Sequence, residues 1–257
     1  MRYLSTLCIF LLGGLFLLAP NSFSQGMKDQ LYMVREEVAK VNMWDQYEST
    51  SKQWVELMNQ AGLDIPYLRA SQRDDGHYIY LIPINSYADI DKMPGIFGSA
   101  VEKIGKEKWA KFMVENEGSM ETHRDYVVRW SAEYSYVPKE PRLKMEDAKF
   151  IHWMYFHFKF EKRQELLAVL KEWKKLYEDK NIKNGYSLWL VELGLDNNMM
   201  VLTEYAKDGA DFYTSQKEDN ALMEAEANVL WNKMSPLLTS VEQKYGSRRP
   251  DLNYVKK

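Results

Sequence analysis

Cysteine is almost absent from this sequence of 257 residues, which contains only Cys8. Cys8 lies inside an apolar N-terminal run rather than after it, where a lipid-anchoring signal would place a cysteine. If that run is removed, the chain has no thiol. We therefore expect no disulfide, no thiolate catalysis and no cysteine-ligated metal.

The N-terminal run has the composition of an export signal. Arg2 provides a positive start, Leu4 to Ala19 an apolar core that Pro20 ends, and small serines follow. The core is short for a membrane anchor, so we expect cleavage before Gln25 and assign residues 1–24 as a signal peptide. The prediction is an exported protein, either periplasmic or secreted.

An excess of positive charge and further long apolar runs are also missing. The chain has 34 Lys and Arg against 37 Asp and Glu, a formal net charge of −3, and the signs are interspersed. A nucleic-acid partner needs a basic field that this composition lacks. No apolar run beyond the signal has the length of a membrane span, so we expect none.

The motifs of several catalytic classes are absent as well. There is no glycine-rich phosphate loop or dinucleotide fingerprint, and the segment Gly185–Trp189 has tryptophan where a nucleophile elbow needs its second glycine. The four histidines show no HxH or HxxxH spacing. His152 and His157 are five residues apart in a predicted strand and so point to opposite faces. We predict no metal site.

The most aromatic stretch that is present is KFIHWMYFHFKF, residues 149–160, which reads as a strand. Alternation places Trp153, Tyr155 and His157 on one face with Ile151, and the phenylalanines on the other. Both faces are largely apolar, which favours a strand covered on both sides.

The two halves of the chain have a similar order of predicted elements. Each reads as a strand, a helix, a hairpin and a second helix, followed by a further extended segment. In the first half these segments are 30–41, 45–61, 67–71 with 77–82, 99–117 and 124–137. In the second they are 150–160, 161–177, 186–193 with 199–205, 220–244 and 251–255. Pro236 is expected to kink or divide the last helix.

Tryptophans match between the halves. Trp54 and Trp173 are 119 residues apart, and Trp109 and Trp231 are 122 apart, at equivalent points of the predicted helices. Matched positions of so rare a residue, together with the common element order, favour an internal duplication. We place the repeats at 25–137 and 149–257, joined by a linker at 138–148 that contains two prolines.

Each half follows the β-α-β-β-α-β plan of a ferredoxin-like unit, whose sheet has one bare face. Two such faces, apolar here, can cover each other. We predict an α+β fold in which two tandem ferredoxin-like repeats pack sheet to sheet as one pseudo-twofold α/β barrel. A chain with this internal pseudo-dimer is expected to be a monomer.

In this element order and these aromatic strands the sequence resembles the dimeric α/β-barrel superfamily in a tandem single-chain form. That superfamily includes monooxygenases of the antibiotic-biosynthesis type, haem-degrading proteins and chlorite-dismutase-like proteins. The resemblance covers roughly residues 30–255 and includes no catalytic motif, so it implies a fold more than a function. The monooxygenases it includes can act without metal or flavin.

The candidate ligand-binding residues are Trp153, Tyr155, His157 and Glu36. The three residues of the aromatic strand could line a pocket between the sheets for a small apolar or aromatic ligand, with Glu36 opposite as an interior carboxylate and proton acceptor. The alternative is that the aromatics only fill the core and Glu36 faces water. The main prediction is a binding protein without a cofactor, and the alternative is a monooxygenase-like or haem-handling enzyme. The resemblance selects His157 as the axial ligand if a haem is bound.

Overall fold

The computed structural model describes residues 27–196 and 198–257, so the predicted signal peptide lies outside it. This part of the chain contains nine strands and five α-helices, and no helix in it is both long and apolar enough to cross a membrane. The strands are β1 (Gln30–Ala39), β2 (Tyr67–Arg73), β3 (His77–Ile84), β4 (Met120–Trp130), β5 (Phe150–Phe158), β6 (Tyr186–Leu193), β7 (Met199–Ala206), β8 (Leu238–Arg248) and β9 (Tyr254–Val255). The helices are α1 (Trp44–Ala61), α2 (Met93–Ile104), α3 (Lys106–Ser119), α4 (Arg163–Asp179) and α5 (Gly209–Met234).

Eight of these strands close into one antiparallel barrel. The order around it is β4-β1-β3-β2-β8-β5-β7-β6, and β6 pairs with β4 to complete the ring. The short strand β9 adds to β2 outside the ring. Closure leaves no free edge along the barrel strands, which removes the tendency of open sheets to pair with other chains. The predicted α+β barrel is therefore confirmed.

Each half of the chain contributes four neighbouring strands to the ring. They follow the order β4-β1-β3-β2 in the first half and β8-β5-β7-β6 in the second, so corresponding strands occupy corresponding places. The two sets meet edge to edge along the β4–β6 and β2–β8 seams.

Alternation along the strands separates the interior of the barrel from its outer surface. Val34 of β1 and Ile151 and Trp153 of β5 belong to one buried cluster inside the ring. On the opposite face of β5, Phe156 and Phe158 point outward and pack against α4. Helices α1 to α3 cover the outside of the first half in the same way. The aromatic strand is thus buried on both faces, as its composition predicted.

Glycines act at two points of this architecture. Gly62 ends α1 at a φ of 63°, with its N–H bonded to the carbonyls of Asn59 and Met58, directly after the predicted helix 45–61. Gly246 of β8 lies in the β2–β8 seam. A Cβ atom at Gly246 would collide with the Gln72 carbonyl oxygen and come within 2.7 Å of the Arg73 Cα. The seam therefore closes only because β8 has no side chain there.

The structure corrects two elements that were predicted for the second half. The predicted helix 220–244 is wrong in its C-terminal third, because α5 ends at Met234 and residues 238–248 form β8. The helix ends two residues before Pro236, which was expected to kink or divide it. A strand follows this break, since pairing with β5 satisfies its backbone. This strand, rather than 251–255, completes the second set of four.

The first half also differs in detail. Helix α2 begins at Met93, and Gly105 at a φ of 94° separates it from α3, where the sequence predicted one helix over 99–117. The extended segment predicted at 124–137 is β4, which ends at Trp130. Residues 131–149 connect the two halves without a helix or strand, apart from a bridge between Tyr136 and Tyr186. We call this stretch the connecting segment, and it contains the linker expected at 138–148.

Candidate functional site

Glu36 lies inside the barrel at the centre of a hydrogen-bonded cluster. Only 2 % of the residue is exposed. Its carboxylate lies 2.6 Å from His77 Nδ1, accepts a hydrogen bond from Arg124 Nη2 at 2.9 Å and accepts another from the Tyr126 hydroxyl at 3.0 Å. Arg73 Nη1 is 3.7 Å away.

These neighbours decide the charge of Glu36. Burial by itself raises the pKa of this carboxyl, but the hydrogen bonds and charges of His77 and Arg124 outweigh it, and the pKa is lowered. An anion held in this way is a weak base. Glu36 therefore has the position that the sequence suggested, but its surroundings favour structural anchoring over proton abstraction.

Trp153 and Tyr155 point into the same interior. Both line, with Glu36, a cavity of about 70 Å³ in the middle of the barrel, which we call the inner cavity. The Tyr155 hydroxyl is 3.5 Å from Arg73 Nη1, and burial raises the pKa of Tyr155 to about 12. A space of this size holds roughly two water molecules, far below the several hundred Å³ of a typical organic-ligand site.

His157 is separated from this cavity. It lies near the far end of β5, where its Nε2 is 3.2 Å from Glu242 Oε1 at the barrel rim. It lines neither of the two cavities described here. The structure thus brings together three of the four sequence-predicted residues, Glu36, Trp153 and Tyr155, and leaves His157 apart.

A larger space opens at the opposite end of the barrel. This cleft of about 770 Å³ lies between the strand ends and the connecting segment, and we call it the mouth cleft. Its aromatic wall residues are Tyr32, Trp130, Tyr136, Tyr186, Trp189 and Tyr205. Ser71, Leu81, Ile151, Trp189 and Tyr205 line both the cleft and the inner cavity, so the two spaces adjoin along the barrel axis.

The connecting segment forms one wall of the mouth cleft through Pro138, Pro141 and their neighbours. Arg142 fastens this segment: its guanidinium donates to Asp211 at 2.7 Å and to the Asn184 side chain at 2.9 Å. Arg248 also donates to the carbonyls of Met145 and Ala148. Two arginines therefore hold the wall against the second half of the barrel.

Aromatic side chains in the cleft are fixed by specific contacts. The Trp189 indole donates to Thr203 Oγ1 at 3.0 Å and meets the Tyr32 ring edge-on, with centroids 5.5 Å apart. Burial raises the pKa of Tyr205, while a hydrogen bond with Thr203 and the charges of Arg248 and Arg69 oppose that increase. Tyr205 is therefore a neutral phenol beside two guanidinium groups.

Sequence reasoning missed the mouth cleft. Its residues come from all eight strands of the ring, from residues that flank them and from the connecting segment, part of which was assigned as a linker. The one available signal was the length of that connection, because long irregular segments in compact domains are often functional.

A haem held by His157 does not fit this geometry. None of the four histidines lines the mouth cleft, and His157 is at the other end of the barrel, next to Glu242. Within residues 27–196 and 198–257 there is also no group of three or more His, Cys, Asp or Glu side chains placed to hold a metal ion. We therefore derive no chemistry through haem iron.

Comparison with known proteins supports the fold. No family model matches the sequence, and no curated protein matches it. Similar solved structures include an anthrone oxidase-like protein (TM-score 0.58, 7 % identity, covering 91 % of this chain and 95 % of that one). A proposed monooxygenase from Lactobacillus acidophilus NCFM has a TM-score of 0.52 and 8 % identity, covering 90 % of this chain and 97 % of its own.

Chlorite dismutase from Candidatus Nitrospira defluvii, solved in complex with imidazole, is also similar. Its TM-score is 0.50 at 11 % identity, and the match covers 86 % of this chain and 92 % of that one. Identities this low indicate a shared fold and nothing more. The fold is that of the dimeric α/β-barrel proteins, which confirms the resemblance at this level.

Proposed function

We propose that this protein binds a small, largely aromatic molecule in the mouth cleft. The observation that carries the proposal is the cleft itself, about 770 Å³ of space walled by six aromatic side chains. This volume is in the range of sites for small organic ligands. The inner cavity, at about 70 Å³, is too small to hold such a ligand between the sheets.

The test uses the intrinsic fluorescence of the cleft. Trp130 and Trp189 line it, so an aromatic ligand stacked there should quench or shift tryptophan emission. We expect saturable binding of tricyclic aromatic probes. Trp189→Ala should lower the affinity about two- to tenfold, since one stacked aromatic contact contributes roughly 0.5–1.5 kcal/mol.

Trp231→Ala is the matched control, because this exposed tryptophan lies on α5 and does not line the cleft. Equal affinity of both variants and the parent protein would place the ligand elsewhere. Native mass spectrometry of the purified protein would also reveal any molecule that stays bound.

A second candidate function is oxidation of the bound molecule by dioxygen. It is favoured by the names of two similar structures, an anthrone oxidase-like protein and a proposed monooxygenase. The test is an oxygen-electrode assay with anthrone, which reacts with dioxygen to give anthraquinone and water in equal amounts. A rate that exceeds the uncatalysed one and falls in Trp189→Ala would support catalysis. Binding without turnover would leave the ligand-binding proposal.

We further propose that the barrel consists of two ferredoxin-like repeats, 25–137 and 149–257, joined by the linker 138–148. The equal strand order of the halves supports this, as does the common helical location of Trp54 and Trp173. Co-expression of two chains split within the linker should restore a one-to-one complex. Aggregation of both pieces under conditions where the intact chain folds would count against separate repeats.

We propose, finally, that the protein is exported as a monomer after removal of residues 1–24. The apolar N-terminal sequence supports export, and the closed ring supports a monomer because no barrel strand is left unpaired within it. The intact mass of protein from the periplasm or culture medium should correspond to a chain starting at Gln25. Sedimentation analysis should give the mass of one chain.

A further inference from the structure

The side chains around the mouth cleft are unbalanced in charge. Its lining contains five cationic residues and, among the described residues, no carboxylate, although the whole chain carries a formal net charge of −3. The five are Lys28, Arg69, Lys144, Lys183 and Arg248. An acidic protein that places only cations around this cleft creates a local positive potential there.

Two of the three lysines, Lys144 and Lys183, contribute less to this potential than the arginines, because carboxylates lie next to them. Lys183 pairs with Glu140 at 2.9 Å, and Lys144 lies 3.9 Å from Glu146 in an exposed pair. Arg69 and Arg248 form no ion pair with any carboxylate in the part of the chain that the structure describes. The hydrogen bonds of Arg248 to the connecting segment use Nη1 and go to backbone carbonyls, which leave its charge uncompensated.

The β2–β8 seam brings these two arginines to the same wall. Arg248 is directly opposite Ser71, and Arg69 is two residues from Ser71 on the same inward face of β2. Diagonal neighbours of this kind are about 7–8 Å apart at the backbone, within joint reach of long side chains. The Arg69 guanidinium lies over the Tyr67 ring at 5.1 Å from its centroid.

Aromatic surface lies next to this cationic pair. Tyr205 and Trp189 line the same cleft as Arg69 and Arg248. Tyr205 lies opposite Ile151 of β5, and Ile151 lies opposite Gly246 of β8, two residues from Arg248. A flat ring against Trp189 and Tyr205 would place a ring substituent beside Arg69 and Arg248. Planar guanidinium groups bind carboxylates through paired hydrogen bonds.

We infer that the ligand of the mouth cleft is an aromatic carboxylate, held by its ring on Trp189 and Tyr205 and by its acid group on Arg69 and Arg248. This inference rests on the proposed function and adds the charge of the ligand. The same geometry would disfavour a cationic aromatic molecule of equal size.

The test compares three probes of one shape and different charge: anthracene-2-carboxylate, 2-(hydroxymethyl)anthracene and 2-(aminomethyl)anthracene. Fluorescence polarisation measures their affinities for the full protein at low and high salt. We expect the carboxylate to bind at least about tenfold more tightly than the alcohol, because a charge-assisted bidentate contact contributes about this factor. The advantage should shrink at high salt, and the amine should bind least tightly.

Variants then assign the charge effect to a residue. Arg69→Gln should weaken the carboxylate about tenfold and leave the alcohol within about twofold, whereas Arg69→Lys should retain part of the preference. Lys111→Gln is the control, since it removes one positive charge from an exposed site on α3. Arg69 is itself exposed at the cleft, so its replacement should leave the fold intact, which circular dichroism would verify.

Each result decides between the claims. Tighter carboxylate binding that depends on Arg69 supports the inference. Equal binding of carboxylate and alcohol, or a carboxylate preference that Arg69→Gln leaves unchanged, overturns it while the aromatic-binding function stands. If no probe binds, the proposed function and the inference built on it both fail.

Discussion

Replacement of Glu36 by glutamine tests the reasoning about the barrel interior most directly. The side chain keeps its shape and one acceptor oxygen but loses its charge. In the native protein that charge is compensated by hydrogen bonds from Arg124 and Tyr126 and by the contact with His77. Arg73, whose side chain is only 7 % exposed, would lose a nearby anion.

The size of the stability loss depends on how many of these hydrogen bonds water can replace. Hydrogen bonds to a charged group contribute about 1.5–3 kcal/mol each when buried. The Arg124 side chain is 53 % exposed, so solvent can restore much of its contact. We expect Glu36→Gln to lower the free energy of unfolding by about 2–3 kcal/mol at neutral pH, and the melting temperature by roughly 4–12 °C.

The pH dependence provides a second, independent check. The pKa of Glu36 is lowered in the folded protein from an ordinary value of 4.5. Its stabilising contribution is therefore complete above 4.5 and is lost as the pH falls through the lowered folded pKa. The stability difference between the parent protein and Glu36→Gln should shrink over that acid range, because glutamine does not titrate.

Urea melts at a series of pH values measure both effects. Glu121→Gln is the control, because Glu121 is an exposed carboxylate on β4 with no ion pair in the described part of the chain, and the change should cost less than about 0.5 kcal/mol. A loss below about 1 kcal/mol for Glu36→Gln, or a difference that persists unchanged into acid, would refute the account of Glu36 as a buried, charge-stabilised anchor.

Three further substitutions test other parts of the structure. Trp153→Ala should cost about 3–5 kcal/mol in denaturant melts, because the side chain is buried in the interior cluster, and a loss under about 1 kcal/mol would mean that it is not packed there. Gly246→Ala should lower the free energy of unfolding by roughly 3 kcal/mol or more, because the added Cβ collides with β2 across the seam. Gly98→Ala in α2 is the control, where a Cβ meets nothing within 4 Å, and it should be neutral or stabilising. Equal effects of the two substitutions would show that the seam is not tight. Arg142→Gln should lower the free energy of unfolding by about 1 kcal/mol and speed tryptic cleavage at Lys139 or Lys144. Lys175→Gln, which removes an exposed ion pair with Asp179, is the control. Unchanged cleavage would mean that Arg142 does not hold the connecting segment in place.

Local sequence pattern predicted secondary structure correctly where one residue type had one dominant effect. The first helix was expected at 45–61, and α1 ends at Ala61, where Gly62 follows with positive φ. The aromatic run at 149–160 was expected to be a strand covered on both faces, and β5 has its phenylalanines against α4 and its Trp153 inside the barrel. These features depend on neighbours a few residues away in sequence.

Pattern failed where the backbone is determined by distant partners. Residues 238–248 contain the consecutive helix-forming residues Glu242, Gln243 and Lys244, yet they form β8 because β5 and β2 both pair with them. The single predicted helix 99–117 is divided at Gly105, whose positive φ the helical pattern around it did not indicate.

The candidate site divides in the same way. Sequence alternation placed Glu36, Trp153 and Tyr155 toward one another, and they do border one cavity. It gave no measure of that cavity's size, because volume depends on how side chains from eight strands fill the ring. His157 followed the same alternation but lies at the rim, since the barrel interior ends before the strand does.

The sequence by itself determined the α+β class, the order of most elements and which residues of the aromatic strand share a face, since all of these follow from local periodicity. Only the tertiary structure decided where a ligand could fit. The mouth cleft combines Arg69, Arg248, Trp189 and the connecting segment, which are far apart in the chain and come together only when the β4–β6 and β2–β8 seams close the ring. Ring closure is a long-range event, and no local pattern of residues encodes the space that it leaves at the barrel mouth.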